Sequence, residues 1–340
     1  MTALWRPEPG PVTCIGETMA ALVPEPVVPL ETADLLRVDV AGAESNVARY
    51  LADHRVPARW VSAVGDDPWG RLVRTRVAES GVDTSAVRTD PQRPTGVLFK
   101  NPGAYGTRVQ YYRQRSAASA LAPELLGDPA VTSAALVHLT GITAALSPSC
   151  RALVTEALRL HVGGRPYVVS FDVNHRAALW SDGSAATVLA RFADRADITF
   201  VGLDEAQALW GNHLVDAVAV RRMLPGPRIL VVKDGDREAT AFRGAEQCAV
   251  PAPHVRVVEP IGAGDAFAAG FLAALLRGYD TVRALRLGHL TAASALRVGG
   301  DHGPLPPRSQ IEELLAASDA QWAMHGAGAG TKGATRAGDP

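Results

Sequence analysis

The 340-residue sequence is poor in cysteine, in charge of one sign and in long apolar runs. Its three cysteines, Cys14, Cys150 and Cys248, are odd in number and widely spaced. They make neither a disulfide framework nor a paired metal site, so a reducing cytoplasm is the expected home. Lys and Arg number 34 against 35 Asp and Glu, a formal net charge of -1. With no basic excess to neutralise phosphates, no nucleic acid is expected as partner. The apolar run at residues 266–276 is too short for a bilayer and is broken by Gly270, so no membrane is expected either. Residues 1–11 carry Arg6, Glu8 and three prolines where a secretory signal needs an apolar core. No Asn-x-Ser/Thr acceptor occurs.

What is present is an ordinary globular composition, 47% hydrophobic and 20% charged, enough to bury a sizeable core. The two ends are different. Residues 1–11 are proline-rich, and residues 325–340 are almost all Gly, Ala and small polar residues. Both are expected to be disordered tails, since they bury too little surface to offset their ordering entropy. In the second tail Thr331 separates Gly330 from Lys332, so it is not a phosphate loop.

Between the tails, continuous apolar runs of strand length occur at residues 12–15, 58–64, 135–139, 167–171, 198–201 and 229–232. Such runs suit parallel strands covered on both faces. Helical patterns fall between them at residues 46–54, 69–80, 149–161, 185–195 and 204–210. The alternation predicts an α/β fold, a doubly wound and mostly parallel sheet flanked by helices. Two segments break the rhythm, about residues 18–40 and 95–115, with hairpin-like alternation and a turn at Tyr105-Gly106. They predict a small antiparallel sheet outside the main one, a lid over one edge.

The stretch with most chemistry is residues 259–276 (EPIGAGDAFAAGFLAALL). Small residues at Gly262, Ala263 and Gly264 let a ligand approach the backbone, and the N–H groups of a helix N-terminus then face it. That geometry binds anions. Asp265 in such a turn would repel a bound phosphate unless it had a task, such as accepting a proton from an attacking hydroxyl. On spacing alone it reads equally well as a helix N-cap. The stretch is not a dinucleotide fingerprint, because Phe267 stands where a third Gly would be needed.

GAGDAFAAGF resembles the C-terminal signature of the ribokinase-like (PfkB) carbohydrate kinases, and AGAESNVARYL at residues 41–51 resembles their N-terminal signature. The resemblance covers residues 12–320. It implies one ribokinase-like kinase domain with a small β-sheet lid. Within the family, YYRQRSAAS (111–119), TGITAALSP (140–148), FDVNHRAALW (171–180) and GDHG (300–303) resemble the 2-keto-3-deoxygluconate kinases. The third of these blocks is shared with fructokinase-like relatives.

The resemblance implies Asp265 as catalytic base and Gly262, Ala263 and Gly264 as the anion hole. It implies Gly42, Asn46, Tyr111, Arg113, Ile142, Arg176 and Asp301 on the substrate. It puts Asn174, Lys233, Gly235, Gly262 and Gly264 toward ATP, with residues 290–295 beside the adenine. Glu205 is implied to help hold Mg2+ through water. Read alone, Gly42 is also a plain turn, Asn46 a helix cap, each Arg a surface ion pair, and Glu205 a first-turn acid complementing the helix dipole. The paired arginines are the discriminating feature, because guanidinium is the natural fork for a sugar-acid carboxylate.

Departures from the family pattern are Glu259-Pro260 for Asp-Thr, Glu238 for a second loop Gly, Leu98 near a lid Tyr, and Gly202-Leu203 for polar residues. The first bears on the lid and on a monovalent cation such as K+. The implied activity is ATP-dependent phosphorylation of the terminal hydroxyl of 2-keto-3-deoxygluconate. The alternatives are another sugar kinase such as a fructokinase, a nucleoside kinase, or a non-catalytic sugar-binding protein on the same fold. A homo-oligomer, a dimer through the lids, is expected from the exposed sheet edges and apolar face of a lid.

Overall fold

The structure, a computed structural model, describes residues 7–103, 106–162 and 167–328. The chain opens with β1 (Val12–Ile15), passes out through β2 (Met19–Pro24) and β3 (Leu36–Ala41), and returns into α1 (Ala43–Asp53). β4 (Ala58–Val61), β5 (Ala63–Gly65), α2 (Pro68–Glu79) and β6 (Arg88–Asp90) follow, then a second excursion through β7 (Val97–Asn101) and β8 (Arg108–Tyr112). The body resumes with α3 (Pro129–Thr132), β9 (Leu136–Thr140), α4 (Gly141–Ala145), α5 (Pro148–Val162), β10 (Val168–Asp172), α6 (Ala185–Arg195), β11 (Ile198–Gly202), α7 (Leu203–Trp210) and α8 (Ala217–Met223). It ends with β12 (Ile229–Asp234), β13 (Glu238–Arg243), β14 (Glu246–Pro251), α9 (Ala263–Leu276), α10 (Thr281–Leu296), α11 (Arg308–Ala316) and α12 (Asp319–Gly328).

Among the described residues the body sheet has eight strands in the order β14-β13-β12-β11-β10-β9-β1-β4. From β12 to β4 every pairing is parallel, and β13 and β14 add an antiparallel edge. The parallel strands are buried on both faces, as their unbroken apolar runs require. One core, holding Val47, Phe200, Phe267, Phe271 and Leu285, packs α1, α9 and α10 on one face. A second, holding Leu153, Phe171, Leu189 and Leu230, packs α5 and α6 on the other. The chain sets its own helix starts: Asp67, Asp128, Asp216 and Asp280 each cap a helix by accepting an N–H from its first turn. α9 is buried all round from Asp265 onward. It crosses α10 so closely that a Cβ at Gly270 would lie 2.4 Å from Thr291 Oγ1, which only glycine permits.

The lid is a four-stranded sheet in the order β3-β2-β7-β8. It is mixed, not antiparallel as expected: β2 and β7 pair in parallel, Ala20 opposite Val97 and Leu22 opposite Phe99. Each excursion folds as its own hairpin, and both first strands leave the body in the same direction. The expected turn at Tyr105-Gly106 falls partly outside the described residues. Gly106 is described and takes φ 103°.

The single strand expected at residues 58–64 is two strands. β1 ends at Ile15, and the last ladder bond beyond it is Gly16 N–H to Val61 O. With no further partner there, the chain breaks at Ser62, and β5 pairs with β6 in a separate ribbon. The β13–β14 hairpin had no counterpart in the sequence reading. α1 begins at Ala43, with Gly42 as N-cap, three residues earlier than expected. The fold also runs past residue 320, for Trp322 on α12 is buried and donates from Nε1 to Pro251 O. α12 takes in residues 325–328 of the stretch expected to be a disordered tail. Residues 1–6 and 329–340 lie outside the described residues.

Candidate active site

The parallel strands end on one side of the sheet, where α/β folds place ligands. Asp172 closes β10 there, Thr140 closes β9, and Lys233 lies near the end of β12. The αL residue Gly262 (φ 86°) turns the chain into α9, and a Cβ there would lie 3.1 Å from Asp301. Asp265, in the first turn of that helix, does not cap it. Its Oδ2 accepts from Asn46 Nδ2 at 3.0 Å and its Oδ1 from Asn174 Nδ2 at 3.1 Å. Asn174 reaches it from φ 37°, a left-handed conformation that Asn tolerates.

Asp265 therefore sits between two neutral amides, with no ion pair among the described residues. Burial raises its pKa to about 7; Asn46's hydrogen bond opposes the rise, Asp172 and Asp301 add to it, and Arg176 opposes it. Lys233 donates to Asp172 Oδ2 at 3.0 Å, and its Nζ lies 3.3 Å from where a Cβ at Gly264 would stand. Burial works against its charge, but Asp172, Glu205 and Asp265 outweigh it and hold the ammonium firmly protonated. A fixed cation thus stands over the Gly262-Ala263-Gly264 turn, a cradle suited to anionic oxygen.

Glu205 accepts the N–H of His175 and, at 3.2 Å, that of Gly202, its own helix's N-cap. Both oxygens are engaged, so part of its task is the first-turn role. Burial and Asp172 raise its pKa. Among the described residues no cluster of three His, Cys, Asp or Glu could hold a metal by itself. Asp172 and Glu205 beside the cradle fit a Mg2+ that keeps its waters and takes direct oxygens from phosphates.

At the lid end, Arg113 donates from Nε to Glu17 Oε2 at 2.6 Å and pairs again with it through Nη2; both side chains are buried. Glu17 also accepts from Ser116 Oγ. The guanidinium lies 5.5 Å from the centre of the Tyr111 ring, which is 39% exposed. Arg176, by contrast, is exposed and donates only to His175 O among the described residues. Asp301 is buried, bonded at Oδ1 to Lys100 Nζ of β7 at 2.8 Å and at Oδ2 to Asn46 Nδ2 at 3.4 Å. Asn46 is thus no helix cap but a bridge between two carboxylates. The first turn of α1 joins the two ends of the site, since Glu44, two residues earlier, accepts from Thr140 and Thr143 hydroxyls and feels the charge of Arg113.

Three implied residues stand differently. The close approach at Gly42 is to protein: a Cβ there would lie 2.3 Å from Glu17 O. The N–H of Ile142 is taken by Thr140 Oγ1 at 3.1 Å. Gly235 (φ 56°) is at the tip of the β12–β13 hairpin, where an added Cβ would point into open space. A cavity of about 390 Å³, lined by Pro253, Leu290, Ala293, Val298 and Leu305, lies against the segment expected beside adenine. Sequence reasoning missed Glu17, Lys100 and Asp172. Glu17 follows a strand end and Asp172 closes one, a signal that could have found them. Lys100 carries no such local signal.

The pfkB family carbohydrate kinase model matches residues 11–308. The chain is 36% identical to a 2-dehydro-3-deoxygluconokinase of Thermoproteus tenax, over 90% of this chain and 94% of that protein. A crystal structure of a PfkB protein from Polaromonas sp. JS666 superposes with TM-score 0.79 at 31% identity, covering 91% of this chain and all of that one. An Escherichia coli ribokinase II in complex with ATP and Mg2+ shares the fold, with TM-score 0.79 at 23% identity over 90% and 98% of the two chains. With the family match running from β1 to the start of α11 and both signatures meeting at Asp265, this chain belongs to the pfkB family of carbohydrate kinases.

Proposed function

We propose that this sugar kinase transfers the γ-phosphoryl group of ATP to the terminal hydroxyl of 2-keto-3-deoxygluconate, with Asp265 as general base. The observation that carries the reading is the Asp265 carboxyl, bonded to Asn46 and Asn174 at the anion cradle with a pKa of about 7. A base poised there is ionised at working pH yet still takes a proton readily. The hydroxyl proton passes to Asp265 as its oxygen bonds to the γ-phosphorus, and the bond to the ADP oxygen breaks. N–H groups at the start of α9 and the Lys233 ammonium offset the charge on the transferred group. Asp172 and Glu205 would hold Mg2+ through its waters, and the ion would supply further charge neutralisation on the phosphates.

The sugar-acid reading draws support from Arg113 beside Tyr111, from Arg176, exposed and without an acidic partner among the described residues, and from the likeness to the Thermoproteus tenax enzyme. Glu17 leaves Arg113 Nη1 without a protein partner among the described residues, a position for a substrate carboxylate. The same pairing favours a second reading, because Glu17 already neutralises Arg113: a neutral ketose, as in a fructokinase. A coupled ADP-release assay over sugars and sugar acids tests the choice. The sugar acid should give the highest kcat/KM. A neutral ketose outrunning it, with KM indifferent to Arg113→Ala, would establish the second reading. Adding K+ to the same assay tests the monovalent cation.

We infer also that two copies pair through the outer faces of their lids. Leu36, Phe99 and Tyr112 share the lid face opposite Leu98 and Lys100, and Tyr112 is 64% exposed. A dimer mass at micromolar concentration, lost in Tyr112→Glu, is the expected result.

A further inference from the structure

Apart from the groups given roles above, buried charge meets at one point where lid and body touch. Lys100 is on the inner face of β7, in the register that also points Leu98 at Met19 and Ala21. Its side chain is 3% exposed, and Nζ donates to Asp301 Oδ1 at 2.8 Å and to Gly299 O at 3.4 Å. Asp301 packs directly on the Gly262 turn. From there Asn46 Nδ2 is shared between Asp301 and Asp265. An unbroken series of contacts runs from a lid strand, through one ion pair and one amide, to the carboxylate at the anion cradle.

We propose that Lys100 is a positioning residue that latches the lid to the catalytic centre, holding Asp301 in place so that Asn46 stays shared with Asp265. The proposal rests on the reading of Asp265 as general base. Its physical content is that a buried carboxylate stripped of its cation does not stay as it is. With Lys100 gone, the uncompensated charge of Asp301 faces Asp265 across Asn46 and makes Asp265 hold its proton to higher pH. The other groups facing Asp265 cannot substitute. Asp172 on β10 is negative, and Lys233 on β12 is committed to it. Arg176 beyond β10 is exposed. Around Asp301, Arg49 of α1 donates from Nε to Ser80, and Asp39 of β3, which lies against Gly300, is paired with Arg37.

The test compares Lys100→Met and Lys100→Arg in the full chain, with Lys100→Gln replacing Met should that variant not fold. Two readouts are taken: the pH profile of kcat/KM, and amide hydrogen exchange over residues 97–112. In Lys100→Met the acid limb should move up by about half a pH unit or more. kcat at neutral pH should fall by about tenfold or more, and exchange in β7 and β8 should quicken. Lys100→Arg should restore all three. A limb that stays in place while kcat falls, or an Arg variant no better than Met, overturns the latch. Undiminished turnover in Asp265→Asn would instead overturn the base reading, and hydrogen exchange would still decide whether Lys100 holds the lid.

Discussion

The two ends of the cleft handle charge differently. At the lid end two buried ion pairs meet the cleft, Arg113 with Glu17 and Lys100 with Asp301. At the body end Lys233 is paired with Asp172, but Asp265 is held by two amides with no ion-pair partner among the described residues, and burial pushes its carboxyl up to about 7. Paired charges hold a shape; an unpaired one is free to exchange a proton. On the proposed function, the difference separates groups that would place a substrate from the group that would work on it, though both sets are equally buried.

The strongest way to break that comparison is Asp265→Asn. General-base loss should lower kcat by about 10³-fold or more while sugar binding persists. The same variant should be more stable than the parent. The folded carboxyl, with a pKa of about 7, holds a proton that the unfolded chain releases near the ordinary aspartate value of 3.8. Stability from this group therefore falls as pH rises between those values. The Asn variant should gain on the order of 1–3 kcal/mol, growing from about pH 4 to 7 and level above, in denaturant melts at several pH values. A gain independent of pH would show that Asp265 is not held protonated by burial.

Next comes Glu17→Gln. Gln keeps the shape but removes the charge that aims the Arg113 fork. KM for the sugar acid should rise by about tenfold with kcat nearly unchanged, since the fork binds ground state and transition state alike. Arg113→Ala should cost more in stability, about 3 kcal/mol, because it leaves Glu17 buried and unpaired. Equal effects on kcat and KM in the Gln variant would move Arg113 from placing the substrate to assisting the chemistry.

How far the sequence foretells this follows from how local each signal is. The parallel strands were legible because burial on both faces writes unbroken apolar runs, and β9 to β12 fall within a residue or two of those runs. The Gly262–Asp265 turn was legible because its residues are contiguous. β14 was not, since at the sheet edge half-buried Glu246 and exposed Gln247 interrupt its pattern, and β13 was not, since Thr240 and Arg243, though buried, break its apolar run. Nor was the break at Ser62, which depends on where β1 ends, at Ile15, 47 residues earlier. Lys100 escaped for the same reason: its partner is 201 residues away, and nothing beside it in the chain records the pairing. Glu17 stands just past β1, a place that could have marked it, but its partner Arg113 is 96 residues away.

A smaller effect should come from Asn46→Ala. Its amide lowers the pKa of Asp265, so removal raises it, and the acid limb of kcat/KM should move up by about half a pH unit. The variant also discards a buried carbonyl, Asn46 Oδ1, that has no partner. Its stability cost should therefore stay near 1 kcal/mol or below. A limb that moves down would mean that Asn46 holds the protonated form of Asp265, with its amide turned the other way.

The smallest effect belongs to Glu238, where relatives of this family have a second loop glycine. Glu238 is the first residue of β13, paired across the hairpin with Asp234 and on its other side with Pro251. Its side chain is exposed, and the left-handed turn is made at Gly235, which the chain retains. Glycine at 238 would restore no conformation that the hairpin lacks and would loosen a strand start by about 0.5–1 kcal/mol. Glu238→Gly should thus change KM for ATP by less than about twofold, a difference well under 1.4 kcal/mol. A tenfold fall in that KM would show that the exposed carboxylate repels the nucleotide, and would extend the anion site from the Gly262 turn out to the hairpin tip.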